Sequence, residues 1–300
     1  MRLLSTLLAC SALVASEPAF ARCAVPPGWS KVVGISTQYV VFGELHGTVE
    51  TPRLIGDIAC ALTAKRQRIL VAVELSSTQN AGLQRAWAGP HQGFAARVVR
   101  EMPEWATRND GVTSMAMLTL LTRLHALHAA GRAVDIVAFN GIRHDEQAAR
   151  LSALPGAEPH EAAQAENIRT AAANGRYNKV LVLVGNAHAR KQPITGRGVA
   201  YRPMAMQLAA PASITSLFIG TGGGMSWGCQ MSGPPPAGPI IRSDLIKCGA
   251  YRAGAEVDLV GAPRIVDTRG KAGPTNPDGA YDAMLFIGPI TASPPAAAQQ

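Results

Sequence analysis

Two stretches of this chain read alike. Val41-Phe42-Gly43-Glu44-Leu45-His46 and Leu183-Val184-Gly185-Asn186-Ala187-His188 each run from apolar residues through Gly-x-x-His. Imidazole is the side chain that exchanges protons near neutral pH, and a carboxylate beside it fixes its tautomer and raises its basicity. Glu44 lies within the first stretch, and Glu74 ends another apolar run, Ile69 to Leu75. Two chemistries suit His46, His188, Glu44 and Glu74. As an acid–base site, His46 serves as general base on a water that Glu74 orients, His188 stabilises charge on the substrate oxygen, and Glu44 supports His46. As a metal site, the same four side chains hold a divalent ion with open positions.

Neighbouring residues carry weaker signals. Arg53 falls one turn into the helix expected after His46, where it binds a substrate anion or makes a surface salt bridge. Asn186 is a candidate substrate contact or a loop hydrogen-bonder, and Glu74 read alone is equally a helix cap. His125 and His128 share one face of an apolar helix and read as structural, while His91 and His144 have no evident partner.

The elements that position these residues follow from periodicity. Short apolar runs at 39–43, 69–75, 134–139 and 180–184 read as buried strands. Helical spacing at 52–65, 113–130 and 158–173 fills the intervals, the second carrying Met117, Leu120, Leu121, Leu124 and Leu127 on one face. Strands alternating with helices predict an α/β layer fold with a mixed, mostly parallel sheet. In such a sheet ligands bind beyond the carboxyl ends of the strands, the edge both histidines and Glu74 reach. After residue 210 short runs at 214–219, 257–260 and 283–287 alternate with Gly/Pro-rich loops, read as edge strands and long loops that complete the sheet. Residues 22–292 read as one domain, followed by a disordered tail from 293 to 300.

Gly43-Glu44-Leu45-His46-Gly47-Thr48, then Val73-Glu74-Leu75, then Gly185-Asn186-Ala187-His188-Ala189 resemble the superfamily joining erythromycin esterases, Tiki/TraB-type proteins and ChaN-like haem-uptake proteins. The segment from Trp105 to Met117, with Asp110-Gly111 and Ser114, is similar to its small bacterial members. The resemblance implies a three-layer α/β/α sandwich with both histidines and the glutamate lining one cleft. In the esterase branch a histidine activates water against a lactone without metal. The Tiki branch is associated with metal-dependent peptide hydrolysis, and the ChaN branch binds haem. Many members carry Arg-Asp-x-x-Met-Ala ahead of the last motif, where this chain has His160-Glu161-Ala162-Ala163-Gln164-Ala165. By that register His160 and Glu161 join Arg53 and Asn186 as candidate substrate contacts, and Arg169, one turn on, is the candidate replacement for the missing arginine. The chain is short for a macrolide esterase, with little sequence for a helical lid.

Composition narrows the classes. The 300 residues are 47% hydrophobic and 16% charged, apolar enough to bury a core. Arg2, the apolar run Leu3 to Ala15 and a small-x-small exit at Ala19 and Ala21 read as a secretory signal over 1–21; a lipoprotein site at Cys10 is the alternative. Beyond it no apolar run approaches the ~20 residues that span a bilayer. The four cysteines past Cys10 suggest two disulfides, Cys229–Cys248 and Cys23–Cys60, in a periplasmic or secreted protein. The net charge of +8 is scattered, without a basic run or zinc-finger spacing, which speaks against nucleic acid. The expectation is an exported hydrolase acting on an ester, lactone or peptide bond of a small-molecule or peptide ligand. The alternatives are a haem- or metal-ligand-binding protein without turnover and a member whose altered 160–164 segment has lost its chemistry.

Overall fold

The computed structural model describes residues 23–195, 199–233, 245–255, 259–269, 276 and 278–299. The expected signal segment, its exit at Ala21 and Cys10 lie outside them. Seven strands form the main sheet: β1 (Tyr39–Glu44), β2 (Ile69–Ser76), β3 (Val134–Asn140), β4 (Lys179–Gly185), β5 (Ile214–Gly220), β8 (Arg264–Asp267) and β9 (Ala283–Phe286). Their order is β3-β2-β4-β1-β5-β9-β8, with only β8 antiparallel to its neighbour.

The central strands are apolar on both faces because helices cover both. Val40, Phe42, Val71, Val73 and Leu183 pack on one side against α2 (Glu50–Ala64), α3 (Asn80–Trp87), α4 (Phe94–Glu101) and α6 (Met115–Ala129). Val41, Leu70, Ala72, Val182 and Val184 face α8 (Glu158–Ala173) and α9 (Met204–Leu208) on the other. This is the α/β/α sandwich that the alternation and the resemblance implied. The short helices α1 (Trp29–Val32), α5 (Glu104–Thr107) and α7 (Asp145–Leu151) complete the set.

Three expectations about the C-terminal third need correction. Residues 222–231 and 246–255 are not loops: β6 (Gly222–Met231) and β7 (Ile246–Ala255) pair as a two-stranded antiparallel ribbon. The ribbon lacks the apolar alternation of a half-buried strand, and a Cys229–Cys248 disulfide joins directly opposed residues. Leu259 and Val260 are not in a strand, and Val260 is fully solvated, whereas β8 follows four residues later and places Ile265 in the core; 257 and 258 lie outside the described residues. The tail expected to be disordered packs from Ser293 to Ala296. The Ser293 hydroxyl accepts from Ala116 N–H and the Pro294 carbonyl from Met115 N–H, so the tail satisfies donors that the first turn of α6 leaves open. The second disulfide, Cys23–Cys60, ties the first described residue to α2.

Candidate active site

β2, β4 and β1 are adjacent, and their carboxyl ends deliver the site. Glu44 ends β1 opposite Gly185, the last residue of β4. The β2–β3 register slips between Val73 and Ser76, so Glu74 leaves the regular ladder, a device that re-aims a side chain. Gly43 permits a close crossing: a Cβ there would stand 3.0 Å from Asn186 Cα, in the single 3₁₀ turn that carries His188.

The side chains form one continuous series. His46 Nδ1–H donates to Glu44 Oε1 at 3.0 Å, and its Nε2 faces Glu74 Oε2 at 3.3 Å. The other Glu74 oxygen faces His188 Nε2 at 3.6 Å. His188 Nδ1–H donates to both oxygens of Glu161, at 2.8 and 2.9 Å. Gly185 N–H donates to Glu74 at 2.6 Å and Met204 N–H to Glu161 at 2.7 Å, which locks two of the three carboxylates to backbone. The imidazole side chains are 26% and 23% exposed and the three carboxylates 3–8%, so the rings are the part of the cluster that solvent reaches and the acids are buried behind them.

Proton affinities follow from this order. Burial pushes Glu74 up, but His46, His188 and the Gly185 N–H outweigh it and hold the carboxyl down to about 2. Burial pulls both imidazoles down. The Glu74 charge and the Glu44 hydrogen bond overcome this at His46 and hold it well above the ordinary histidine range. The Glu161 bond and Glu74 raise His188 also, against the like charge of His46. Burial raises the Glu44 carboxyl, with His46 opposing.

The structure thus brings His46, Glu74, His188 and Glu44 together and adds Glu161 in a corrected role. Expected to touch substrate, Glu161 is instead buried behind His188 as its hydrogen-bond partner. Its spacing held the signal: Glu161, Gln164 and Asn167 form an i, i+3, i+6 polar stripe on α8, and all three are buried. Gln164 donates to Asn140 Oδ1, and Asn167 to the Phe139 and Gly141 carbonyls. His160 sits at the rim, its ring 5.8 Å from that of His188, and burial together with the His188 charge lowers its proton affinity. Asn186 is exposed, and its carbonyl accepts from the Tyr281 hydroxyl. Arg53 makes no hydrogen bond or ion pair with this cluster among the described residues and lines another cavity. Arg169 does not replace the missing arginine, because its guanidinium donates to the Gln207 carbonyl.

The remaining histidines are structural. His125 Nε2–H donates to the Trp87 carbonyl and His128 Nδ1–H to that of Val134. His91 and His144 do have partners: His91 Nδ1 meets His125 Nδ1 at 3.1 Å, and His144 caps α7 by accepting from Gln147 N–H. The ribbon's hold on the site leaves no signal in the sequence. Trp227 N–H donates to the Gly47 carbonyl, next to His46, and Trp227 Nε1–H to that of Asn109.

The donors do not fit a metal centre. Both Nε2 atoms lie against the single Glu74 carboxylate, at 3.3 and 3.6 Å. Among the described residues no group of three or more His, Cys, Asp and Glu side chains is disposed to hold an ion.

The mostly parallel seven-stranded sheet with helices on both faces defines the structural class, an α/β/α sandwich. The fold is shared with a mutant of the erythromycin esterase EreC in its open conformation, at TM-score 0.63 and 12% identity over 87% of this chain and 93% of that one. A protein from Bacillus cereus matches at TM-score 0.61 and 13% identity, over 89% and 91%. A succinoglycan biosynthesis protein matches at 0.59 and 11%, over 88% and 90%. No protein-family model matches the sequence, and no curated protein matches it significantly.

Proposed function

We propose that the protein is a hydrolase that activates water at the Glu44–His46–Glu74–His188–Glu161 cluster against an ester, lactone or peptide bond. One observation carries this reading: two partly exposed imidazoles, each fixed at Nδ1 by its own buried glutamate, turn their Nε2 atoms to one shared carboxylate. The two titrate as a pair, and loss of one proton leaves a base beside a cation. His46, held between two carboxylates, keeps its proton longer, which favours His188 as the base and reverses the roles expected from sequence. Water held against Glu74 gives its proton to His188 Nε2 as its oxygen attacks the carbonyl carbon. The His46 imidazolium stabilises the oxyanion. Collapse then breaks the bond to the leaving group, which takes the proton back from His188.

The esterase among the structural neighbours supports hydrolysis as the class of reaction. Two disulfides fit an oxidising compartment, and with the N-terminal sequence they support a periplasmic or secreted enzyme. The test is turnover of a panel of aryl esters, lactones and peptides by the purified protein. Activity is expected to fall about 10²–10⁴-fold in His188→Ala and in His46→Ala. Turnover that is unchanged in both variants overturns the assignment, and turnover that a chelator abolishes overturns its metal-free form.

A further inference from the structure

A cavity of 420 Å³ opens between the first turn of α2 and the N-terminal half of α6 and shares no residue with the histidine cluster. Its volume falls within the range of small-molecule sites. Val49, Pro52, Met115, Leu120 and Pro294 give it an aliphatic lining. Two guanidinium groups also line it, and they differ in kind. Arg123 is neutralised: its Nη2 donates to Asp57 Oδ1 at 2.6 Å and its Nη1 to the Arg53 carbonyl. The Arg53 side chain is exposed and makes no hydrogen bond or ion pair among the described residues. The cavity therefore combines an apolar body with one guanidinium free to pair with a ligand, although Arg53 also borders a neighbouring cavity lined by Glu50 and Asp57.

That combination selects its ligand by chemistry. An apolar chain gains by leaving water for the aliphatic walls. A carboxylate matches the planar fork of an arginine in two parallel hydrogen bonds. A second charge on the ligand would lie unpaired against hydrocarbon, which is costly. We propose that this cavity binds a monoanionic amphiphile, an alkyl carboxylate whose head pairs with Arg53 and whose chain lies on Val49, Met115 and Leu120. The site stands apart from the hydrolytic reading. Its Val49 wall is nevertheless three residues from His46, and Val49 N–H is tied to the Thr291 carbonyl in the segment that closes the cavity.

The test is calorimetric titration of the folded protein with decanoate, decanol and decyltrimethylammonium. Saturable binding of one decanoate is expected, with decanol and the cation at least tenfold weaker. Arg53→Gln removes an exposed, unpaired group and is expected to weaken decanoate about tenfold or more without moving the melting temperature. Thr119→Trp, at an exposed position on the cavity wall, fills the space and is expected to abolish binding. Absence of saturable binding to the wild type, or binding that survives both substitutions, overturns the proposal whether or not the histidine cluster proves hydrolytic.

Discussion

A carboxylate that accepts from a backbone N–H and faces two imidazoles gains little by taking a proton. Glu74 is accordingly held down to about 2, from an ordinary 4.5. Its contribution to stability is complete above pH 4.5 and is lost as pH falls toward 2. His46 and His188 are shifted upward from 6.5, so their contribution is complete below that value and is lost as pH rises through their folded values. The joint contribution of these three groups is therefore expected to be greatest between pH 4.5 and 6.5, and scanning fluorimetry of the wild type beside Glu74→Gln across pH 3–10 checks this. A midpoint difference between the two that grows steadily above pH 6.5 contradicts it. Glu161→Gln should lower the His188 titration toward the ordinary range while leaving that of His46 nearly in place, as read from the ring carbons by NMR. Equal shifts at both rings would show that Glu161 holds α8 rather than His188. The roles of Glu44 and Glu74 were legible because each lies within two residues of a strand end or a histidine. For Glu161 the sequence carried only the inward-facing polar stripe with Gln164 and Asn167; its role behind His188 was not legible, since that partner is 27 residues away and only the docking of α8 joins them.

The parallel strands and their long helices were legible from apolar runs and 3.6-residue spacing, because a sheet covered on both faces must be apolar on both. The β6–β7 ribbon was not. It covers little core and its residues run Gly-Gly-Gly-Met-Ser-Trp; a disulfide joins its two strands, and a few backbone bonds with the Trp227 indole hold it to the rest of the molecule. Two of its contacts leave no room for a side chain. A Cβ on Gly47, whose φ is +71°, would lie 2.0 Å from the Trp227 carbonyl oxygen, and one on Gly111, at φ +90°, would lie 2.5 Å from it. Gly47→Ala is expected to push the ribbon off the loop that follows His46 and to cost about 1–3 kcal/mol, from the strained backbone and the displaced contact. Urea unfolding measures that cost, and a loss below 0.5 kcal/mol (about the scatter of neutral surface changes) would show that the ribbon yields freely.

At the scale of the whole molecule, two disulfides close loops at opposite ends of the chain, spanning 37 and 19 residues. Cys23–Cys60 fastens the N-terminal segment to a helix buried against the sheet, so its loss affects the global fold, whereas Cys229–Cys248 lies on a projecting ribbon. Cys60→Ser paired with Cys23→Ser is expected to destabilise by about 2–4 kcal/mol, and the corresponding ribbon pair by less. Chemical denaturation of both double variants decides the order. The described helices include none long and apolar enough to cross a membrane. The fold alone does not assign a reaction, since one architecture hosts many. The assignment rests on five side chains at the carboxyl edge of three adjacent strands. The most direct test is the pH dependence of kcat/KM for an aryl ester or lactone that the wild type turns over, measured beside His188→Ala. The wild-type rate is expected to rise above pH 6.5 as the histidine pair releases its first proton, and the variant to lose both that rise and about 10²–10⁴-fold in rate. An identical profile in wild type and variant would contradict it.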